Sequence, residues 1–491
     1  MNKKYIIIIC IITLSSYSCQ KSLLSPVSQT SVAAVGGAPF STLARIQAQV
    51  LGLYTTLRSG QSYGARFQVY NDVKADNWIN ATANSVTAYQ TWTETVSNTS
   101  SEVLNLWAQC YLSINDCNLF IDGMKASGSA IAGTALSTNY IAEAKFIRAL
   151  NYYALLNMYC QPYAVNNGAS PGVPLRLTGN SSYGDFSLAP STVAQIYAQI
   201  IADLNDAETG LPLVYYTAGS TTTQDATAET TRAHQNTAIA FKTRVYLAMQ
   251  QYANVITEAD KIVTKTAPFT ATTGVPHALQ ASIANVYKSP YTTTESILSI
   301  PFTTTEAVGT QNALGNYFNS VGSAEFYLNP DGVIADAKWK TTDARRAFIS
   351  YVTAKGHSYL TKWPLAAPYV DWANVMRYSE VLLNLAEARA RSTNSLDPQA
   401  IALLNAVRKR SDATTTFTAA GFTNGVTDLT AAILQERNIE FLGEGLRWND
   451  LWRLQLPIPA KGGVTAVPVS SAAYIWPMSG NEQQYNSLIG R

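Results

Sequence analysis

The stretch Glu436–Arg453, ERNIEFLGEGLRWNDLWR, carries the clearest fold signal in the sequence. Its glutamates recur every four residues, which places them along one face of a helix. Arginines are interleaved among them: Arg437 stands at ion-pair spacing from Glu440, and Arg447 stands at ion-pair spacing from Asp450. We therefore predict a structural ion network formed by Glu436, Arg437, Glu440, Glu444, Arg447 and Asp450.

Two tryptophans of the same stretch, Trp448 and Trp452, fall one helical turn apart and are predicted to belong to the core. Pairing with arginine lowers the pKa of a carboxyl group, which is the wrong direction for a general acid. The glutamates are therefore poor candidates for the two carboxylates of a glycosidase.

Other enzyme signatures are missing from the sequence. The three histidines, His234, His277 and His357, are scattered, and none has a nucleophile or a carboxylate at motif spacing. The sequence contains no HExxH, GxSxG, GxxxxGK[ST] or GxGxxG motif and no Cys/His pattern of metal-binding type. We expect a protein that is not an enzyme and that needs no cofactor or metal.

Helical periodicity extends outward from this stretch in both directions. Ile46, Val50, Leu53 and Leu57 follow one another at helical spacing and predict a first helix, with Gly60 just beyond it. Residues 241–262 and 378–407 each indicate two helices joined by a short turn, the size of a tetratricopeptide hairpin. Such hairpins bury their apolar faces against neighbouring hairpins. The predicted fold is mostly α: a tetratricopeptide-like helical-repeat scaffold with a loop-rich, ligand-binding subdomain that carries few short strands.

Two regions break the helical rhythm. Residues 60–100 show no helical period and suggest a long loop, which inside a compact domain is often functional. Residues 264–374 are rich in Thr, Pro, Gly and aromatics, and residues 295–302 (ESILSIPF) predict one short strand there. We therefore divide the folded part into an N-terminal helical part at 41–263, an irregular ligand-binding subdomain at 264–374 and C-terminal helices at 375–491.

The N-terminus has the layout of an export signal. Two lysines precede ten apolar residues, and small residues follow up to Cys19, so residues 1–18 are predicted to be a signal peptide. Cys19 resembles the lipidated cysteine of a bacterial lipobox, although Ser16-Tyr17-Ser18 also fits ordinary cleavage. Residues 19–40 are rich in Ser, Ala, Val and Gly and predict a flexible tether.

Charge and cysteine usage limit the partners further. Lys plus Arg is 34 and Asp plus Glu is 32, so a net charge of +2 gives no reason to expect nucleic-acid binding. Charged residues are only 13%, and the neutral polar surface suits uncharged ligands such as sugars. Beyond the export signal, Cys110, Cys117 and Cys160 are predicted to be buried free thiols, with a disulfide to Cys160 left open.

Several blocks, in order, resemble the SusD/RagB family. The pattern E-R-x-x-E, E-G-x-R-W and D-L-x-R of residues 436–453 is similar to the C-terminal signature of that family. The remaining similar blocks are Glu143–Ala149 with Tyr152 and Tyr153, Gly172–Leu175, Val193–Leu204, Ala240–Tyr246, Arg377–Arg389, and Pro477, Glu482 and Asn486. The resemblance spans roughly residues 40–491.

The resemblance implies a function. Members of the family are outer-membrane lipoproteins that sit over a SusC-like TonB-dependent transporter and bind glycan, or sometimes peptide, without hydrolysing it. We therefore expect a surface-exposed protein, anchored in the outer membrane through lipid on Cys19, that captures an oligosaccharide or polysaccharide and delivers it to such a transporter. A helical-repeat adaptor for peptides or proteins, and a helical glycosidase or lyase, are the alternatives.

The ligand site is predicted from chemistry, because sugars stack their apolar faces on aromatic rings and hydrogen-bond to Asp, Asn, Arg and Gln. Asp76-Asn77-Trp78 in the first irregular region fits this best. The predicted ligand contacts are Asp72, Asp76, Asn77, Trp78, Trp92, Tyr317, Tyr327, Trp339, Trp363 and Trp372.

Overall fold

The computed structural model describes residues 39–489. The predicted signal peptide, Cys19 and nearly all of the predicted tether lie outside the described residues. Within residues 39–489 the chain forms sixteen α-helices and eight short strands.

The helices are α1 (Leu43–Leu57), α2 (Arg66–Val73), α3 (Tyr89–Trp92), α4 (Ser101–Gly123), α5 (Ser129–Ala132), α6 (Thr134–Tyr159), α7 (Val193–Gly210), α8 (Ala226–Thr231), α9 (Gln235–Ala248), α10 (Tyr252–Ala259), α11 (Leu314–Phe318), α12 (Tyr378–Thr393), α13 (Pro398–Ser411), α14 (Val426–Glu440), α15 (Arg447–Arg453) and α16 (Gly480–Tyr485). The strands are β1 (Trp78–Asn80), β2 (Pro171–Pro174), β3 (Pro190–Thr192), β4 (Ser296–Ile300), β5 (Phe326–Leu328), β6 (Ile349–Val352), β7 (His357–Leu360) and β8 (Ala373–Arg377).

Helix α1 follows the sequence pattern directly. The side chain of Thr42 accepts a hydrogen bond from the backbone of Arg45 and caps the helix, and the buried residues are the four that the spacing selects. The predicted first helix is therefore confirmed.

The predicted hairpins are also present, as α9 with α10 and as α12 with α13. Buried ion pairs connect neighbouring helices. Arg148 of α6 donates two hydrogen bonds to Asp203 of α7 (2.6 and 2.8 Å). Arg244 of α9 forms the same bidentate pair with Glu380 of α12. A guanidinium and a carboxylate that pair in this fork geometry fix orientation as well as distance. The mostly α, helical-repeat fold class is confirmed.

The irregular segment is organised by small sheets. Strand β4, which lies inside the predicted stretch 295–302, pairs with β8 in antiparallel register, while β6 and β7 form a hairpin. Strand β1 pairs with β5 across a long stretch of sequence. These pairings attach the irregular segment to the region before α4 and to the start of α12.

The expectation of a loop throughout residues 60–100 is wrong, because helices α2 and α3 and strand β1 lie there. All eight residues of α2 are buried. A helix that is buried on every side presents no amphipathic stripe, so its sequence shows no 3.6-residue period. A helix surrounded by protein cannot be found by a search for periodicity.

Candidate functional site

The signature stretch lies inside a cluster of buried charges. Its ion pairs involve five cations and five anions, and every side chain in it is at most 5% exposed. We call this set the buried charge cluster: Glu295, Asp343, Arg345, Lys362, Arg377, Arg408, Arg410, Glu436, Glu440 and Glu444. Since the charges balance, no uncompensated charge is left within this cluster.

Electrostatics keep two of these carboxylates, Glu440 and Glu444, ionised. Burial alone would raise the pKa of Glu440, but the guanidiniums of Arg410, Arg377 and Arg345 hold it well below its usual range. For Glu444, burial is likewise outweighed by Arg377 and Lys362, and the pKa is lowered. Ionised, buried and saturated carboxylates have no proton to donate, which argues against a general-acid role for them.

The individual pairings differ from those suggested by sequence spacing. Arg437 pairs with Asp450 (2.8 Å) rather than with Glu440. Arg447 pairs with Asp76 (2.8 and 2.9 Å), which comes from the first irregular region. Side chains three residues apart on a helix lie close enough to pair. Here the tertiary fold instead brings carboxylates of other segments into contact with the two arginines.

The ring of Trp78 is fully buried and stacks on Phe318, with centroids 4.1 Å apart. The indole N–H of Trp92 donates to the backbone carbonyl of Trp78 (2.8 Å). Both rings are buried, so the prediction that Trp78 and Trp92 contact the ligand is wrong in this structure; Phe318, distant in sequence, covers Trp78.

Three other predicted rings are also buried. The hydroxyl of Tyr317 accepts from Arg66 (3.0 Å), and the ring of Trp339 is covered by the guanidinium of Arg346 at 4.0 Å. Trp363 is 2% exposed. The structure thus corrects the expectation that Tyr317, Trp339 and Trp363 stand exposed.

Two predicted rings do keep exposed surface. Tyr327 lies flat against His357, with centroids 3.7 Å apart and planes 6° apart. Trp372 is half-buried and stacks on Tyr291. Each ring has one face covered by its stacking partner.

The three polar residues that were predicted to contact the ligand, Asp72, Asn77 and Asp76, lie in different surroundings. Asp72 is buried, and burial raises its pKa to about 8. Asn77 is also buried and donates to Asn438 of α14 (2.6 Å). Asp76 is half-buried and, with Arg447, faces an open cleft of about 480 Å³ that Gln435, Asn438 and Asp336 also line. We call this the polar cleft; it offers amides, carboxylates and a guanidinium but no aromatic ring.

A second cleft, of about 310 Å³, combines aromatic and polar groups. Three segments build it: the first half of α4, the loop that follows β2, and the C-terminal segment around α16. We call it the aromatic cleft, and its principal residues are Trp107, Tyr111, Arg176, Phe186, Glu482 and Tyr485.

The rings of the aromatic cleft form an inner and an outer pair. Trp107 is buried and packs on Tyr111, with centroids 5.1 Å apart. At the mouth, Phe186 is 40% exposed and Tyr485 is 76% exposed. An exposed ring of this kind is the surface on which a sugar stacks its C–H face.

Hydrogen bonds hold the loop after β2 and the C-terminal segment together. Arg176 donates to the backbone carbonyl of Phe186 (2.6 Å) and to Glu482 (2.9 Å). Asn486 donates to the carbonyl of Leu188 (2.7 Å) and accepts from its N–H (3.0 Å). The cleft is therefore held by direct contacts between the loop and the C-terminal segment.

Sequence reasoning missed the exposed rings of this cleft. Phe186 lies in a loop without periodicity, and Tyr485 lies in a six-residue helix too short to show any. Their neighbours did give a signal, since Gly172–Leu175, Glu482 and Asn486 belong to the blocks of family resemblance.

No group of three or more His, Cys, Asp or Glu in residues 39–489 is placed to hold a metal ion. In the same residues, no helix combines the length and the apolar character needed to cross a membrane. Cys110, Cys117 and Cys160 are free and buried, as predicted.

Helical hairpins, an irregular segment with small sheets and open surface clefts define the class of this protein: a helical-repeat scaffold. Residues 279–487 match the SusD_RagB family, described as "SusD family". Residues 40–247 match a second family, described as "Starch-binding associating with outer membrane".

Relatives with known names and structures agree with these matches. A SusD superfamily protein from Bacteroides fragilis is 30% identical, with a TM-score of 0.80 over 92% of this chain and 100% of its own. SusD-like protein P2 of Formosa agariphila is 24% identical over 99% of this chain and 98% of its own length. A laminarin-binding SusD-like protein is 18% identical and shares the fold, with a TM-score of 0.69 over 91% of this chain and 98% of its own. The chain belongs to the SusD family.

Proposed function

We propose that this protein is a non-catalytic lipoprotein of the outer membrane that captures a glycan in the aromatic cleft and delivers it to a SusC-like TonB-dependent transporter. The observation that carries the proposal is the aromatic cleft itself, where two exposed rings flank hydrogen-bonding groups. Membership of the SusD family supports the proposal, because a laminarin-binding SusD-like protein shares this fold.

The chemistry of the cleft suits a sugar chain. Phe186 and Tyr485 offer ring faces at the mouth, and Asn481 adds an exposed amide beside them. A volume of about 310 Å³ is at the lower end of the range for small-molecule sites, which suits a short stretch of sugar units in an open cleft. The rest of a longer glycan would extend into solvent.

The comparisons support the same ligand class. One matching family is described as starch-binding, and one protein of the same fold is named for binding laminarin. Among the sequence-predicted contacts, Asp76, Tyr327 and Trp372 keep exposed surface and remain proposed contacts outside the aromatic cleft.

The glutamates of the signature stretch support a non-catalytic role. Hydrolysis of a glycosidic bond requires one carboxylic acid that can donate a proton. The low pKa of Glu440 and of Glu444, together with their burial, makes them unsuitable for that task.

A binding assay tests capture against catalysis. The purified full chain is run through gels that contain laminarin, starch, galactomannan or xylan, and each polysaccharide is afterwards assayed for new reducing ends. We expect retardation by at least one of the four and no release of reducing ends. Release of reducing sugar, or no retardation by any of the four, would contradict the proposal.

A fractionation experiment tests the anchor and the partner. We expect the wild-type chain in the outer-membrane fraction, together with a TonB-dependent transporter that co-purifies with it. The C19A variant, which cannot take a thioether-linked lipid, should move to the soluble fraction. Retention of this variant in the membrane would argue against lipid anchoring at Cys19.

A further inference from the structure

We propose that Glu482 sets the charge class of the glycan: by neutralising Arg176 it makes the aromatic cleft accept uncharged sugars and reject acidic ones, such as uronic acids. This inference rests on the proposed function, that the aromatic cleft binds glycan. It names the residue that decides which glycans enter.

Arg176 is the cation that an acidic sugar would otherwise use. Its guanidinium lies over the ring of Tyr111, 5.8 Å from the centroid, at the inner side of the cleft. One of its nitrogens is bound to the backbone carbonyl of Phe186, and the other is bound to Glu482. An arginine in an aromatic cleft is a ready binding group for a carboxylate, but here an internal carboxylate already occupies it.

Glu482 is held in place by donors from three segments. One oxygen accepts from Arg176 and from Asn486 (2.7 Å), and the other accepts from the indole N–H of Trp107 (3.3 Å). Its side chain is 12% exposed. A ligand carboxylate could reach Arg176 only by displacing a carboxylate that these donors position.

The charges that line the cleft sum to zero. Arg176 and Glu482 are its two charged lining residues, and they form an ion pair at 2.9 Å. Asp185, between the lining residues Gly184 and Phe186, adds an exposed negative charge close to the mouth. An acidic sugar would therefore have its charge desolvated and would be repelled by Asp185, whereas an uncharged sugar has no charge to desolvate and is not repelled.

Exchange of one oxygen for nitrogen tests the idea. The E482Q variant leaves Arg176 with a neutral neighbour and gives the cleft a charge of +1. We expect the variant to bind polygalacturonate at least about tenfold more tightly than wild type does, the gain of one charge-assisted hydrogen bond. The measured quantity is selectivity: the ratio of the affinity for polygalacturonate to the affinity for the uncharged polysaccharide should exceed the wild-type ratio by at least about tenfold.

Matched controls separate a local effect from a change in net charge. The E306Q variant also frees an arginine, Arg58, and also raises net charge by one, but it lies outside the aromatic cleft, and we expect no gain. The R176Q/E482Q double variant should lose the gain. Thermal unfolding checks that each variant folds. If E482Q does not fold, N481K serves as the test, because it adds a cation at an exposed lining position of the aromatic cleft without breaking the ion pair between Arg176 and Glu482.

The outcomes separate two levels of failure. No affinity of wild type for any uncharged polysaccharide would overturn the proposed function. If wild type binds an uncharged glycan and binds polygalacturonate equally well, the proposed role of Glu482 is overturned, but the proposed function stands. The role of Glu482 would also be overturned if folded E482Q bound polygalacturonate no more tightly than wild type does, or if E306Q gained as much affinity as E482Q. Should E482Q fail to fold, absence of a gain in affinity for polygalacturonate in N481K would overturn it.

Discussion

The carboxyl group of Asp72 lies in the protein interior, where one oxygen accepts the backbone N–H of Gly445 (3.0 Å). Burial raises its pKa to about 8 from an ordinary value of 3.8, against the opposing effects of the Gly445 hydrogen bond and Lys362. The group is therefore protonated in the folded protein at neutral pH. In the unfolded chain it is ionised there.

This difference makes stability depend on pH. Between about pH 4 and about pH 8 the folded state holds a proton that the unfolded state has released, so stability falls as the pH rises through this window. The D72N variant does not titrate at this position. We therefore expect its Tm, relative to that of wild type, to rise from about pH 5 to about pH 8 in thermal melts. A difference that stays constant over that range would contradict the buried, protonated state of Asp72.

Trp78 gives a second test for a single residue. Because its ring is fully buried against Phe318, we expect W78A to lose about 3–5 kcal/mol of unfolding free energy in urea denaturation. The glycan affinity of the folded variant should be unchanged. The matched control is Y351A, since Tyr351 is 64% exposed, and a change within about 0.5 kcal/mol is expected there. Loss of glycan binding by W78A at unchanged stability would restore Trp78 as a ligand contact.

At the scale of elements, the turn between α14 and α15 fixes where the signature arginines and glutamates meet. Gly445 has a φ of +77°, and a Cβ atom at this position would lie 2.6 Å from the Cα of Gln68 on α2. Glycine is needed here both for the left-handed backbone and for the close approach of α2.

A substitution tests this turn. We expect G445A to lose at least about 1–2 kcal/mol from the left-handed conformation alone, and more from the displacement of α2. G463A is the matched control, because a Cβ atom at Gly463 meets no atom within 4 Å. Equal stabilities of the two variants in chemical denaturation would show that α2 does not pack against the turn in this way.

The same elements show what the sequence could and could not predict. Helix α1 was predictable because one of its faces is buried and the other is exposed to solvent, which leaves a periodic pattern of apolar residues in the sequence. Helix α2 was not, because its burial on all sides erases that pattern. The local sequence around Trp78 does not indicate whether its ring is buried or exposed, because Phe318, which covers the ring, lies far away in the chain.

At the scale of the whole molecule, the buried charge cluster joins the irregular segment to the C-terminal helices. Glu436 of α14 binds Arg345 of the irregular segment (2.6 Å) and Arg408 of α13 (2.5 Å). Removing one charge leaves its buried partners without compensation, which costs far more than the pair contributes on balance.

We therefore expect E436Q to lose about 3–5 kcal/mol of unfolding free energy, with no effect of its own on glycan binding by the folded protein. The exposed pair of Arg58 and Glu306 provides the control, since a surface ion pair contributes about 0–1 kcal/mol and E306Q should be nearly neutral. A stable E436Q variant that had lost a hydrolytic activity would point instead to the glycosidase alternative.

The aromatic cleft is a property of the whole molecule, and for that reason it was hard to predict. Its three segments are distant in sequence, and the exposure of Phe186 and Tyr485 follows from what the fold leaves uncovered. The resemblance of Glu482 and Asn486 to a family block located the segment. It could not show that rings nearby stay open to solvent.

The most direct test of the central claim is the affinity of the F186A/Y485A double variant for an uncharged polysaccharide that wild type binds, measured by calorimetry. Both rings are exposed, so the variant should fold like wild type, and Y351A removes an exposed ring outside the cleft as the control. We predict a loss of at least about tenfold for the double variant, equivalent to about 1.4 kcal/mol, and no loss for Y351A. An unchanged affinity of the folded double variant would contradict glycan capture in the aromatic cleft.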